Sequence, residues 1–278
     1  MTKVSVLMPI YNTNTLYLKA AVESVLNQTF SDFELLILND SPDNQELKKI
    51  IGSYDDKRIF YMENTCNIGI SASRNKLLKA ARGQYVAIMD HDDISLPGRL
   101  EKQALYLDQH PDTGVVGCNI RRIGTKITSD FPVDNQSVKS ALPDGCVIAH
   151  TAAMIRKSVL IDNRISWEND FSPCEDYMLW IRLAGKTLFH NLPEILVEYR
   201  YYPENTSHLR AEKMIEQTAR IQYLAKKKYP YLSGCSFPVV RWIYLFSFIP
   251  LVKIKKRKRS VSFFLFGLIP VLKYKRAA

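Results

Sequence analysis

Acid is missing from one end of this chain. After Glu216 there is no Asp or Glu through residue 278, and those last 62 residues carry 14 of the 38 Lys and Arg. The first 216 residues hold the other 24 bases against all 28 acids, so the formal charge of +10 belongs to the C-terminal stretch. A uniformly basic protein would suggest nucleic acid; this distribution describes a mildly acidic body with a basic attachment. Cysteine is sparse. Cys66, Cys118, Cys146, Cys174 and Cys235 lie far apart and form no CxxC pair, which argues against a zinc ribbon or a disulfide framework and suits a reducing compartment. No Walker A sequence and no GxGxxG occurs, so neither a P-loop enzyme nor a dinucleotide dehydrogenase is supported. Long apolar runs are lacking too. The run in MTKVSVLMPIYN is too short for a secretory leader and has no small-residue cleavage site; it reads as a buried strand, and a cytoplasmic protein is expected. The apolar stretch 237–252 is interrupted by Arg241 and two prolines, and 261–272 is only 12 residues, so neither spans a bilayer.

What is present is an alternation. VSVLMP, FELLILND, RIFYME and QYVAIMD read as strands, and between and after them come helical stretches. These are TLYLKAAVESVLNQ with Thr15 as its cap, NQELKKIIGSY, GISASRNKLLKAARG closed by Gly83, and LPGRLEKQALYLDQH with Pro97 near its start. Such alternation implies βαβ units and a mostly parallel sheet. In the second part GVVGCNIRRIG, TKITSDF and EILVEYRYY read as strands, AHTAAMIRKSVL as a strand running into a short helix, and CEDYMLWIRLAGK as a helix. His208 to Lys228 reads as a further helix. The chain divides into residues 1–110, 111–210 and 211–278, the last a helix with a basic, apolar tail. The tail contains an echo: FSFIPLVKIKK (246–256) aligns with FGLIPVLKYKR (266–276) at an offset of 20. Two apolar-Pro-basic units too short to span suggest a segment lying in the bilayer interface. Lys253, Lys255, Lys256, Arg257, Lys258 and Arg259 would meet anionic headgroups, each contributing about 1 kcal/mol.

The acid concentrates in AIMDHDDISLPGRL, where Asp90, Asp92 and Asp93 follow an apolar run. One reading is a turn in which Asp93 caps the next helix. The other is a divalent cation: Mg²⁺ or Mn²⁺ takes one or two carboxylates plus substrate phosphates. In open α/β sheets ligands bind beyond the carboxyl ends of the strands. There Tyr11-Asn12, Asp40-Ser41 and Asp90 to Asp93 should converge, and three carboxylates within four residues exceed what a cap needs.

Together these stretches resemble family 2 glycosyltransferases of the GT-A fold. VSVLMPIYN, AVESVLNQTFSDFELLILND, NIGISASRNKLLKAARGQYVAIMDHDDISLPGRLEKQ and CEDYMLWIRLA follow that pattern in order, over about residues 3–210. The resemblance implies an α/β fold with a Rossmann-like, mostly parallel central sheet flanked by helices, here followed by a helical, amphipathic, basic tail. It also implies an inverting, hexosyltransferase-type enzyme that uses Mn²⁺ or Mg²⁺ and a nucleotide sugar, expected to be a UDP-sugar. The acceptor would be a saccharide, lipid-linked or a lipopolysaccharide or capsule precursor. The place would be the inner face of the cell membrane, held peripherally by the tail, with no nucleic-acid partner. By the same resemblance residues 1–110 are the nucleotide-binding half and 111–210 the acceptor-binding half, Pro9, Tyr11 and Asn12 flank the base and ribose, and Asp40 accepts the uracil N3 hydrogen. The family often has Asp-Asp-Gly-Ser here; Asn39-Asp40-Ser41-Pro42 keeps the second Asp and not the Gly. Asn67, Gly69 and Arg74 lie near the ribose and diphosphate. Asp90 and Asp92 form the DxD motif, with Asp92 the leading metal ligand and Asp93 assisting, and His91 shapes the pocket. Asp176 is the general base, with Glu175 second. His150 borders the acceptor channel, while Arg200 and the loop ending at His208 fold over the diphosphate. Two other classes compete. A sugar-nucleotide nucleotidyltransferase would need a basic, Gly-rich loop that PIYNTNT does not provide. A non-catalytic, basic-tailed binding protein would have no need of both the acidic cluster and Asp176.

Overall fold

Every position of Val4–Ile10 (β1) and Phe33–Asn39 (β2) is buried. Strands covered on both faces read as continuous apolar runs, and these do. The computed structural model of the chain describes residues 2–202, 205, 209–230, 240–245, 249–257, 260–265 and 269–275. In it β1 lies inside an eight-stranded sheet, with Ile59–Glu63 (β3) and Tyr85–Ile88 (β4) giving the order β3-β2-β1-β4, all parallel. Ile94–Ser95 (β5), Thr113–Arg122 (β6), Met154–Arg156 (β7) and Leu188–Tyr199 (β8) continue it as β4-β7-β6-β8-β5. Strand β7 is antiparallel to β4 and β6, and β5 to β8, while β6 and β8 are parallel. The short reversed strand is thus the seam joining the two halves of the chain into one sheet.

Helices Thr15–Leu26 (α1), Gln45–Gly52 (α2), Ile70–Ala80 (α3), Arg99–Gln109 (α4), Asn135–Ala141 (α5), Lys157–Asp162 (α6) and Glu175–Leu183 (α7) flank the sheet, followed by Ala211–Lys228 (α8). The strand period of two sorts the core. Val4, Val6, Met8 and Ile10 pack with Leu18 and Val22 of α1 and Leu107 of α4. Leu7, on the other face, packs with Leu77 of α3 and Trp180 of α7.

Several local expectations change. Asn14, not Thr15, caps α1, its Oδ1 accepting from the N–H groups of Leu16 and Tyr17. Helix α3 stops at Ala80, and Gly83 serves close approach instead: a Cβ there would sit 2.5 Å from the Ser5 nitrogen. Helix α4 begins after Gly98 in a left-handed conformation (φ 81°). Residues of TKITSDF contribute only an isolated bridge, Arg121 with Thr128, not a strand. Asp93 caps nothing; it is fully buried and accepts the N–H of Arg200.

The helix expected before Lys228 is present as α8. Beyond it the described backbone is extended rather than helical. Val240–Leu245 (β9), Ile249–Arg257 (β10), Ser260–Leu265 (β11) and Ile269–Lys275 (β12) form a separate antiparallel sheet in sequence order. The 20-residue echo thereby has a structural unit: β9-β10 and β11-β12 are equivalent hairpins, each with a register irregularity beside its proline, Pro250 or Pro270. Lys258, Arg259 and His208 lie outside the described residues.

Candidate active site

Because β1, β2 and β4 are parallel, their carboxyl ends open on one edge of the sheet, and a cleft of about 1020 Å³ lies there. Pro9, Tyr11, Asn12, Asp40, Asn67, Gly69, Arg74, Asp90, His91, Asp92, His150, Glu175 and Asp176 all line it. Asp93 and Arg200 do not.

The wall formed by β1 and β2 is built around Asp40. Its Oδ1 accepts from Asn64 Nδ2 (2.7 Å) and the N–H of Ile68 (2.9 Å), and its Oδ2 from the N–H of Gly69 (2.9 Å). Gly69 reaches that position with φ 85°, a conformation glycine adopts without strain. Asn12 sits at φ 44°, and its N–H is taken by Ser41 Oγ. The Ser41 hydroxyl in turn donates to Asn39 Oδ1. The Asn-Asp-Ser-Pro loop thus closes through the Asn39 and Ser41 side chains.

The acidic loop after β4 is held from two sides. Arg74, 5% exposed, donates to Asp90 Oδ1 (2.9 Å) and to Glu175 Oε1 (2.7 Å), tying the loop to the first turn of α7. From the other side, Arg200 Nε donates to the Asp92 carbonyl and Tyr202 Oη to Asp92 Oδ2 (2.7 Å). Beneath the loop the fully buried Arg99 donates to the carbonyls of Ile88 and Ala153. Burial, with Asp92 and Asp90 beside it, raises the Asp93 carboxyl well above the carboxylate range.

Asp176 is the titrating group of the cleft. Burial, reinforced by the charge of Glu175, pushes its carboxyl up to about 7, while the Tyr177 N–H and Arg74 oppose the rise. The Tyr177 N–H occupies Oδ1 at 2.7 Å, so Oδ2 is the oxygen left to take a proton. His150 is a different kind of group. Trp167 Nε1 donates to its Nε2 at 2.8 Å. An indole nitrogen only donates, so the imidazole is neutral with its proton on Nδ1. Burial and Arg74 lower its pKa well below the usual histidine value. Trp167 and Trp180 are core residues.

The profile of the family described as "Glycosyl transferase family 2" matches residues 5–163. The chain belongs to glycosyltransferase family 2. Over 210 residues it is 33% identical to the O-antigen biosynthesis glycosyltransferase WbnJ of Escherichia coli, covering 73% of this chain and 81% of that one. Over 209 residues it is 34% identical to the putative glycosyltransferase EpsE of Bacillus subtilis, covering 71% and 73%. The fold is also that of S. aureus TarS residues 1–349 in complex with UDP (TM-score 0.62, 18% identity, 83% and 72% covered). A mannosyltransferase from Pyrobaculum calidifontis, solved with GDP-Man and Mn²⁺, has a TM-score of 0.64 at 15% identity, with 84% and 69% covered. This protein is therefore a GT-A glycosyltransferase, and one of its relatives is named for O-antigen biosynthesis.

Among the described residues of this glycosyltransferase, no three His, Cys, Asp or Glu side chains converge as a metal cage. A hard cation that takes one or two carboxylates and completes its shell with phosphate and water fits what is there. Asp90 and Asp92 line the cleft, and each keeps one carboxylate oxygen that meets no donor among the described residues. Several site residues carried no signal in the sequence. Arg74, expected near the ribose and diphosphate, lines the cleft between two carboxylates. Tyr202, Asn64 and Trp167 act through partners 17 to 110 positions away, and neither motif nor periodicity marks them.

Proposed function

We propose that this enzyme is an inverting, divalent-metal-dependent glycosyltransferase that moves a hexosyl group from a UDP-sugar to a saccharide acceptor, lipid-linked or a lipopolysaccharide or capsule precursor. The observation that carries the reading is Asp176: a carboxyl raised to about 7, in the same cleft as the acidic loop, with one oxygen open. A base must hold a proton-accepting form near working pH and lie within reach of the attacking hydroxyl. Asp176 Oδ2 takes the proton of the acceptor hydroxyl as the hydroxyl oxygen attacks the anomeric carbon; the bond from that carbon to the diphosphate oxygen breaks, and the single displacement inverts the centre. A cation held by Asp92 and Asp90 supplies, when bound, Lewis-acid stabilisation of charge on the leaving diphosphate. Arg74 sits between Glu175 and Asp90 and donates to both, fixing the two carboxylates side by side across one guanidinium. His150, fixed as a neutral donor, offers Nδ1–H and takes no proton itself.

The uridine assignment rests on Asp40. A carboxylate has about four lone-pair sites, and three are used by Asn64, Ile68 and Gly69. One remains. Uracil offers a single N–H at N3, whereas guanine offers two adjacent donor groups. The tail reading rests on charge and register. No helix among the described residues is long and apolar enough to cross a membrane. The register places Lys253, Lys255, Lys273 and Lys275 at positions sharing one face of the tail sheet, which suits a peripheral contact with an anionic surface.

The test is a pair of isosteric changes. Asp176→Asn should cut turnover roughly 10²-fold or more while UDP affinity, measured by calorimetry, stays within about twofold, and Glu175→Gln should be the milder change. Asp176→Asn near wild type beside an inactive Glu175→Gln would reassign the base.

A further inference from the structure

The segment after β8 makes contacts that the roles above leave unused. Arg200 donates its N–H to Asp93 Oδ1 and its Nε to the Asp92 carbonyl, both at 2.8 Å. Its guanidinium lies over the Tyr17 ring, 4.1 Å from the centroid, and the Tyr17 ring leans against Tyr202 at 5.4 Å. Asn205 braces the turn, accepting the Tyr202 N–H and donating to the Arg200 carbonyl. The product of all this bracing is one side-chain contact: Tyr202 Oη on Asp92 Oδ2.

We infer that Tyr202 is a positioning residue for the divalent cation, pinning one oxygen of Asp92 so that the other is presented to the metal. The inference rests on the reading of Asp92 as a metal ligand. The physical case is the broad, two-fold torsion that lets an aspartate carboxylate rotate with little penalty. Asp92 is partly exposed in the cleft, and among the described residues Tyr202 is the only side chain to hold its carboxylate. Hydrogen bonds to the non-coordinating atoms of metal ligands fix their orientation, and removing such a partner typically costs 10–100-fold in metal affinity. Tyr202 and Tyr17 both line the cleft, so the brace lies where the diphosphate and cation would meet.

Tyr202→Phe removes the hydroxyl and keeps the ring that packs on Tyr17, so the fold should persist. The full chain is titrated with Mn²⁺ in the presence of saturating UDP, with free Mn²⁺ read by its electron paramagnetic resonance signal. UDP affinity is measured separately in chelator. The variant should bind Mn²⁺ about tenfold more weakly, with chelator-state UDP affinity within twofold of wild type. Mn²⁺ affinity equal to wild type would overturn the inference, and so would tighter binding, which would make Tyr202 a competitor for Asp92. A parallel loss of UDP affinity in chelator would also overturn it, as a general loosening of the cleft. A wild type that binds UDP but takes up no Mn²⁺ would instead overturn the metal reading beneath it.

Discussion

With Asp176 as the proposed base, its raised carboxyl makes the expected rate of transfer a titration curve. The group takes its proton at about pH 7, so the base form dominates above that pH and is lost below it. At pH 5 about one molecule in a hundred retains the base, and each further unit removes another tenfold. The expected profile of kcat/KM is therefore a limb rising with slope one up to about pH 7. A carboxylate of ordinary pKa would place it near 4. Arg74 opposes the rise at Asp176 while Glu175 and Asp90 promote it. Arg74→Gln takes away the positive member and leaves the two negative ones, so the limb should move to higher pH. Glu175→Gln removes a negative neighbour and should move it lower. The assay is release of nucleoside diphosphate from the donor with acceptor present, at fixed ionic strength. A wild-type limb below about pH 5 would refute the desolvated-base reasoning, as would limbs in both variants that coincide with wild type.

Arg99→Met should destabilise the fold by about 3 kcal/mol, since the carbonyls of Ile88 and Ala153 lose a charged donor inside the core; a denaturation midpoint unchanged from wild type would show those contacts to be idle. A chain cut after Leu232 should stay soluble and still turn over donor, while the full chain should sediment with anionic liposomes and release as salt is raised. Equal partition of the two forms would dispose of the membrane role. Asp40→Asn replaces an acceptor with a mixed donor–acceptor edge and should weaken UDP binding by roughly tenfold, the scale of one hydrogen bond to a charged group; unchanged UDP affinity would remove Asp40 from base recognition.

Much of this site could be read before folding because it obeys the simplest rule of α/β sheets. Asp40 and Asp90 directly follow the apolar runs of β2 and β4, so parallel strands had to bring them to one edge. Asp176 sits one residue into a helix whose start the sequence shows. What could not be read is side-chain partnership at long range. The bridge from Arg74 to Glu175 and Asp90 depends on how α3 and α7 meet across the sheet. The same holds for Trp167 setting the His150 tautomer, and for the aromatic brace on Asp92. Asp93 shows the limit most clearly: three acids in four residues look equivalent in sequence, yet the turn faces Asp90 and Asp92 into the cleft and buries Asp93 under it. In the tail, a repeat of apolar and basic residues was legible, but the choice between helix and hairpin was not, because short apolar runs suit either period.

The central claim is that one cleft holds a uridine nucleotide sugar through Asp40 and a cation through Asp92 and Asp90. A single panel tests it most directly: UDP-, GDP- and dTDP-sugars incubated with the full chain, in Mn²⁺ and in excess chelator, with nucleoside diphosphate release quantified for each. The account predicts release from a UDP-sugar in Mn²⁺ that is abolished by chelator and restored by added Mn²⁺ or Mg²⁺. Full turnover in chelator, or a GDP-sugar turned over in preference to every UDP-sugar, would contradict it.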